Sequence, residues 1–86
     1  MLDFSDPMVL STLVALAEAC NYSTNAHVPE GAVLRGTASH LQGDMKKTLK
    51  KLAKEGYAIK HPTAGDMTYY ITKDGIDKIF AFKTYD

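Results

Sequence analysis

Apolar positions recur along the second half of this chain at two different periods, and each change of period marks an element. Met45, Leu49, Leu52 and Ala53 stand at i, i+4, i+7 and i+8, with lysines filling the positions between them. That spacing predicts an amphipathic helix from Asp44 to Glu55, with Asp44 as N-cap and Gly56 as C-terminal stop. Tyr57 to His61 and Met67 to Thr72 then alternate residue by residue and are rich in strand formers. Pro62-Thr63-Ala64-Gly65-Asp66 between them reads as a hairpin tip. In the second run Tyr69 and Ile71 share one face and Tyr70 and Thr72 the other, with Tyr69 read as core. Thr72-Lys73-Asp74-Gly75 opens a closing helix capped by Thr72, whose stripe is Ile76, Ile79 and Phe80, with Phe82 and Tyr85 beyond it.

The first half is less regular. Ser5-Asp6-Pro7 is a helix start, because Ser5 or Asp6 can cap free amides and Pro7 suits the first helical position. The helix runs to about Cys20. Its apolar residues Met8, Val9, Leu10, Leu13, Val14, Leu16, Ala17 and Cys20 cover more than one stripe. It is therefore buried on two sides or packed on another subunit. Asn21 to Glu30 is a polar loop with a short extended piece at Ala26-His27-Val28 ahead of Pro29. Gly31 to His40 reads as a second helix, with Leu34, Ala38 and Leu41 at i, i+4 and i+7, a helix-interior Gly36, and a tight turn at Gln42-Gly43. The alternative is a strand at Ala32-Val33-Leu34 with a helix only from Thr37.

Eighty-six residues, 45% of them apolar, predict one domain spanning residues 1–86. The single cysteine, Cys20, excludes an internal disulfide and fits a reducing cytoplasm, with an intermolecular bridge as the lesser alternative. The apolar stretch Met8 to Cys20 lacks a basic leader and is shorter than the ~20 residues of a membrane span, so neither secretion nor membrane insertion is expected. The formal net charge is zero, yet its distribution is lopsided. Before Arg35 the chain carries Asp3, Asp6, Glu18 and Glu30 and no Lys or Arg. From Asp44 to Lys60 it carries Lys46, Lys47, Lys50, Lys51, Lys54 and Lys60 against Asp44 and Glu55. A neutral total can hide a cationic face.

The order of elements, the run Leu49-Lys50-Lys51-Leu52-Ala53-Lys54-Glu55-Gly56 and the run Tyr69-Tyr70-Ile71-Thr72-Lys73-Asp74-Gly75 resemble a winged helix-turn-helix domain. From about Leu34 to Phe80 the chain is similar to small archaeal and bacterial regulators of MarR- and PadR-like type. In that family the Leu-x-x-Leu-x-x-x-Gly run ends the recognition helix and the Tyr-x-x-Thr-x-x-Gly run closes the wing. The resemblance implies an α+β fold, with a three-helix core, a two-stranded β wing and a C-terminal helix. It also implies a transcriptional regulator that binds double-stranded DNA, with the third helix in the major groove and the hairpin on the backbone.

On that reading Lys46, Lys47, Lys50, Lys51 and Lys54 hold phosphates or approach base edges, and Lys60 and His61 contact backbone from the wing. Lysine is a flexible point charge suited to phosphate, whereas base reading favours bidentate Arg, Asn or Gln. The candidates for sequence reading are Gln42, Thr48 and Arg35. The wing tip has no Arg, and substantial non-specific affinity with modest direct specificity is expected. The terminal helices of such regulators commonly pair, which implies a homodimer through the first and last helices. The competing reading is a winged-helix module for protein contacts within a larger assembly, favoured by the neutral total charge and the scarcity of Arg. No catalytic residues are expected, since no nucleophile elbow, phosphate-binding glycine loop or carboxylate pair flanking a cleft can be argued from the sequence. No cofactor or metal is expected either, since the spacings of His27, His40, His61 and Cys20 match no ligand motif.

Overall fold

The computed structural model describes residues 2–83. It is an α+β fold with four helices and one three-stranded antiparallel sheet among those residues. The elements run α1 (Pro7–Ala19), β1 (His27–Pro29), α2 (Glu30–Leu34), α3 (Ser39–Lys54), β2 (Ala58–Pro62), β3 (Met67–Ile71) and α4 (Lys73–Lys83). Tyr85 lies outside the described residues. Among the described residues, no helix is long and apolar enough to cross a membrane.

α1 begins as its sequence dictates. The Asp6 carboxylate accepts the Met8 amide at 2.9 Å and Pro7 occupies the first turn, a cap of a kind that contributes about 1 kcal/mol. It ends when Asn21 and Tyr22 both take left-handed backbone, at φ 53° and 57°. The Tyr22 amide then donates to the Ala17 carbonyl at 2.8 Å and that of Asn21 to Glu18 at 3.1 Å, which satisfies carbonyls the helix leaves open. α1 packs on α2, α3, α4 and β3. That explains why its apolar residues cover more than one stripe: Val9, Leu13, Leu16, Ala17 and Cys20 are all buried against different neighbours. Burial pushes the Cys20 thiol pKa up, with a smaller opposing effect from the Ile71 backbone.

The second and third helices differ from the sequence expectation. α2 stops at Leu34, and Gly36, at φ 86°, makes the turn. The Thr37 amide closes that turn on the Leu34 carbonyl at 3.0 Å. α3 starts at Ser39 and runs straight through Gln42-Gly43, so Gly43 is helical, Asp44 is not a cap, and Gly36 is not a helix-interior residue. Ala38 falls in the turn and is exposed, and Leu41 is 37% exposed, so the expected Leu34-Ala38-Leu41 face does not form. The alternative of a helix from Thr37 lies nearer to the observed start, but the strand that went with it, Ala32-Val33-Leu34, is helical. α3 ends at Gly56, φ 89°, where the Tyr57 amide donates to Leu52 at 3.0 Å and that of Gly56 to Ala53 at 3.3 Å.

The hairpin β2–β3 pairs from Ala58↔Ile71 to Pro62↔Met67, and β1 adds to the other side of β3 through His27↔Tyr70, Val28↔Tyr69 and Pro29↔Thr68. The sheet is thus three-stranded, in the order β1-β3-β2, rather than a two-stranded wing alone. The extended piece before Pro29 supplies the extra edge. Tyr69, Ile71 and Ala58 face inward and are buried with Leu49, Leu52 and Ile79. The Tyr69 hydroxyl reaches Glu30 at 3.5 Å, and burial followed by the Glu30 charge raises its pKa. Thr72 links the sheet to α4: its hydroxyl accepts the Gly75 amide at 3.1 Å and donates to the Gly56 carbonyl at 2.8 Å. Of the stripe expected on α4, Ile79 is fully buried and Ile76 half-buried, while Phe80 is exposed beside Tyr22.

Candidate nucleic-acid interface

An α-helix turns through ~100° per residue. Met45, Thr48, Leu49 and Leu52 take the buried side of α3, which leaves Lys46, Lys47, Lys50, Lys51 and Lys54 on the exposed half. Lys46, Lys50 and Lys54 follow one another at i, i+4 and i+8 and span roughly 12 Å of helix axis.

The strand register brings one more cation to this face. Ala58 pairs with Ile71 and Lys60 with Tyr69. Paired residues share a face, so Lys60 lies on the side of two buried residues, which is the side that packs on α3. Lys50 and Lys54 from α3 and Lys60 from β2 line one groove of about 670 Å³, together with Ala53, Gly56, Ala58, Ile59 and Thr72. The small side chains at Ala53, Gly56 and Ala58 keep the space between helix and hairpin open. Three lysines and no carboxylate line it, which gives the groove a positive local charge. No protein family, curated protein or solved structure matches this chain. The chemistry of the groove is thus the guide to what it can hold.

The other predicted residues are distributed less evenly. Lys51 lines a second cleft, of about 480 Å³, with Leu2, Asp3, Asp6, Val9, Lys54 and Glu55. Two hydrogen bonds from Ser5, first from its hydroxyl and then from its amide, lower the Asp3 pKa. Asp3, Asp6 and Glu55 thus share this cleft with Lys51 and Lys54. The Glu55 carboxylate accepts the Leu2 amide at 3.0 Å. The cationic surface thus fades toward the α1 start and strengthens toward the hairpin.

Thr48 does not reach the surface. It is 8% exposed and its hydroxyl donates to the Asp44 carbonyl at 2.8 Å, so it belongs to the inner side of α3 rather than to any reading surface. Gln42 is half-buried, and its Nε2 donates to the Thr37 carbonyl at 3.1 Å, bracing the turn before α3. Arg35 is exposed in that turn. His61 and Lys60, expected to act together, lie on opposite faces of β2 because adjacent strand residues alternate. The earlier start of α3 adds residues that sequence reasoning missed. Ser39, His40 and Gly43 are exposed in its first turns. Gly36 as a turn-former was the available signal, since Gly is the residue that takes φ > 0 without strain.

Proposed function

We propose that this chain is a winged helix-turn-helix domain that binds double-stranded DNA and acts as a transcriptional regulator. In this reading α2, the turn at 35–38 and α3 are the helix-turn-helix, and β2–β3 is the wing. α3 enters the major groove, with Ser39 and His40 leading and Arg35 alongside. Lys46, Lys47, Lys50, Lys54 and Lys60 hold phosphates. The observation that carries the proposal is the convergence of Lys50, Lys54 and Lys60, from two separate elements, on one carboxylate-free groove. A short turn containing Gly between α2 and α3 supports it.

The test is a series of binding isotherms on random-sequence duplex at increasing salt. Neutralising about four or five phosphates predicts a slope of log K against log salt near −4. A slope near zero, or no duplex binding at low salt, would overturn the proposal and favour a protein-contact module.

The reading extends to a homodimer through α1 and α4, which would set two α3 helices ~34 Å apart on a pseudo-palindrome. Phe80 is 53% and Phe82 37% exposed on α4. Burying the part of each ring that is still exposed between copies is favourable by about 1 kcal/mol each. Sedimentation should give twice the chain mass, shifting to the monomer with Phe80→Lys. A monomeric parent protein would remove the dimer and leave the DNA reading standing.

A further inference from the structure

The outer face of the sheet carries a side-chain cluster that the lysine groove does not use. His27 on β1, Tyr70 on β3 and His61 on β2 meet there. Their ring centroids lie 5.8 Å apart for the two histidines, 5.3 Å for His27 and Tyr70, and 5.7 Å for His61 and Tyr70. Register explains the meeting. His27 stands opposite Tyr70, and His61 opposite Thr68, two residues along the same central strand. All lie on the face opposite buried Tyr69 and Ile71, so the imidazoles lean in from the two outer strands over β3. Both histidines are exposed and Tyr70 is half-buried. The backbone beneath them is fixed by strand pairing and by the Thr68 hydroxyl, which donates to the His61 carbonyl.

We propose that His27 and His61 form a two-imidazole site for a borderline divalent cation, zinc or copper(II), with the Tyr70 ring as its wall. A metal–nitrogen bond of about 2.0–2.1 Å puts an ion about 3 Å from an imidazole centre, so two imidazoles on one ion have centres about 5–6 Å apart. The 5.8 Å observed between His27 and His61 falls in that range. Imidazole suits zinc and copper and is a poor partner for magnesium or calcium. Among the described residues, no group of three or more His, Cys, Asp or Glu side chains is placed to hold a metal. His27 and His61 would supply two nitrogens, with water filling the remaining positions. The ligands sit on hydrogen-bonded strands, and little ordering is needed on binding. The long separation of His27 and His61 along the chain hides the pair from any reading of sequence spacing.

The test is calorimetric titration of the whole chain with zinc and, separately, copper(II), alongside thermal melts. One ion per chain is expected. His27→Ala and His61→Ala should each weaken binding by at least ~10-fold, because each removes one of two protein ligands. His40→Ala, which alters a histidine on α3, should leave binding unchanged. Metal should also raise the melting midpoint of the parent chain, since it ties β1 to β2 across β3, and should not raise that of His27→Ala. Absence of saturable binding would overturn the proposal, as would binding that survives both His27→Ala and His61→Ala in variants whose circular dichroism matches the parent.

Discussion

Gly75→Ala is expected to destabilise this protein by about 2 kcal/mol, although alanine is the better helix former by ~1 kcal/mol. Gly75 sits in the first turn of α4, against the inner end of the hairpin. A Cβ built there would overlap the Tyr57 carbonyl oxygen and lie 3.0 Å from Ile71 Cγ1 and 3.3 Å from Leu13 Cδ1. The nearest of these is backbone and cannot rotate aside. That carbonyl also accepts the Thr72 amide at 3.3 Å, so moving it disturbs the cap of α4. The added methyl must push α4 off the hairpin and α1, which is the overpacking case. Gly43→Ala is the internal contrast. It is helical and exposed, and nothing lies within 4 Å of its Cβ position, so the same substitution should gain up to ~1 kcal/mol there. Urea unfolding of the two variants measures both signs. A Gly75→Ala protein as stable as the parent would mean that α4 does not lie so closely on Tyr57.

The largest functional effect is expected from reversing the groove charges. Lys50→Glu, Lys54→Glu and Lys60→Glu combined should weaken duplex binding by at least ~100-fold at low salt. They should also make the log K–log salt slope shallower by roughly 3, about one for each phosphate that no longer meets a lysine. Lys51→Glu should do much less, since Lys51 lines only the cleft that holds Asp3, Asp6 and Glu55, whereas Lys54 lines both that cleft and the groove. All four side chains are exposed, so unfolding does not confound the comparison. Equal losses from Lys51→Glu and from any one groove lysine would show that the duplex, if bound, meets a different face.

Local chemistry makes several features legible in the sequence. Asp6-Pro7, Gly56 and Thr72 each act within a few residues of themselves, and all three play the roles their types suggest. The alternation that assigns Tyr69 to the core also holds, since Tyr69 is fully buried. The turn before α3 is misplaced by sequence because Gly36 and Gly43 are both plausible breaks. With Val33 in the core and α2 packed on α1, the chain turns at Gly36, which takes φ 86°, and stays helical through Gly43. Thr48 reads as a surface residue in sequence because a polar side chain in a lysine-rich helix suggests solvent. Its carbon skeleton and its bond to the Asp44 carbonyl let it be buried instead. The β1–β3 pairing and the His27–His61 approach arise between segments far apart along the chain. No window of neighbouring residues carries them.

The position of α1 bears on how a newly made chain acquires its shape. This first helix needs β3 and α4, some fifty residues and more downstream, to cover Leu13 and Leu16. Until Ile79 has left the ribosome, those leucines have no complete partner surface. Synthesis of the chain should therefore run well ahead of cooperative collapse, with α1 exposed meanwhile as a target for chaperones.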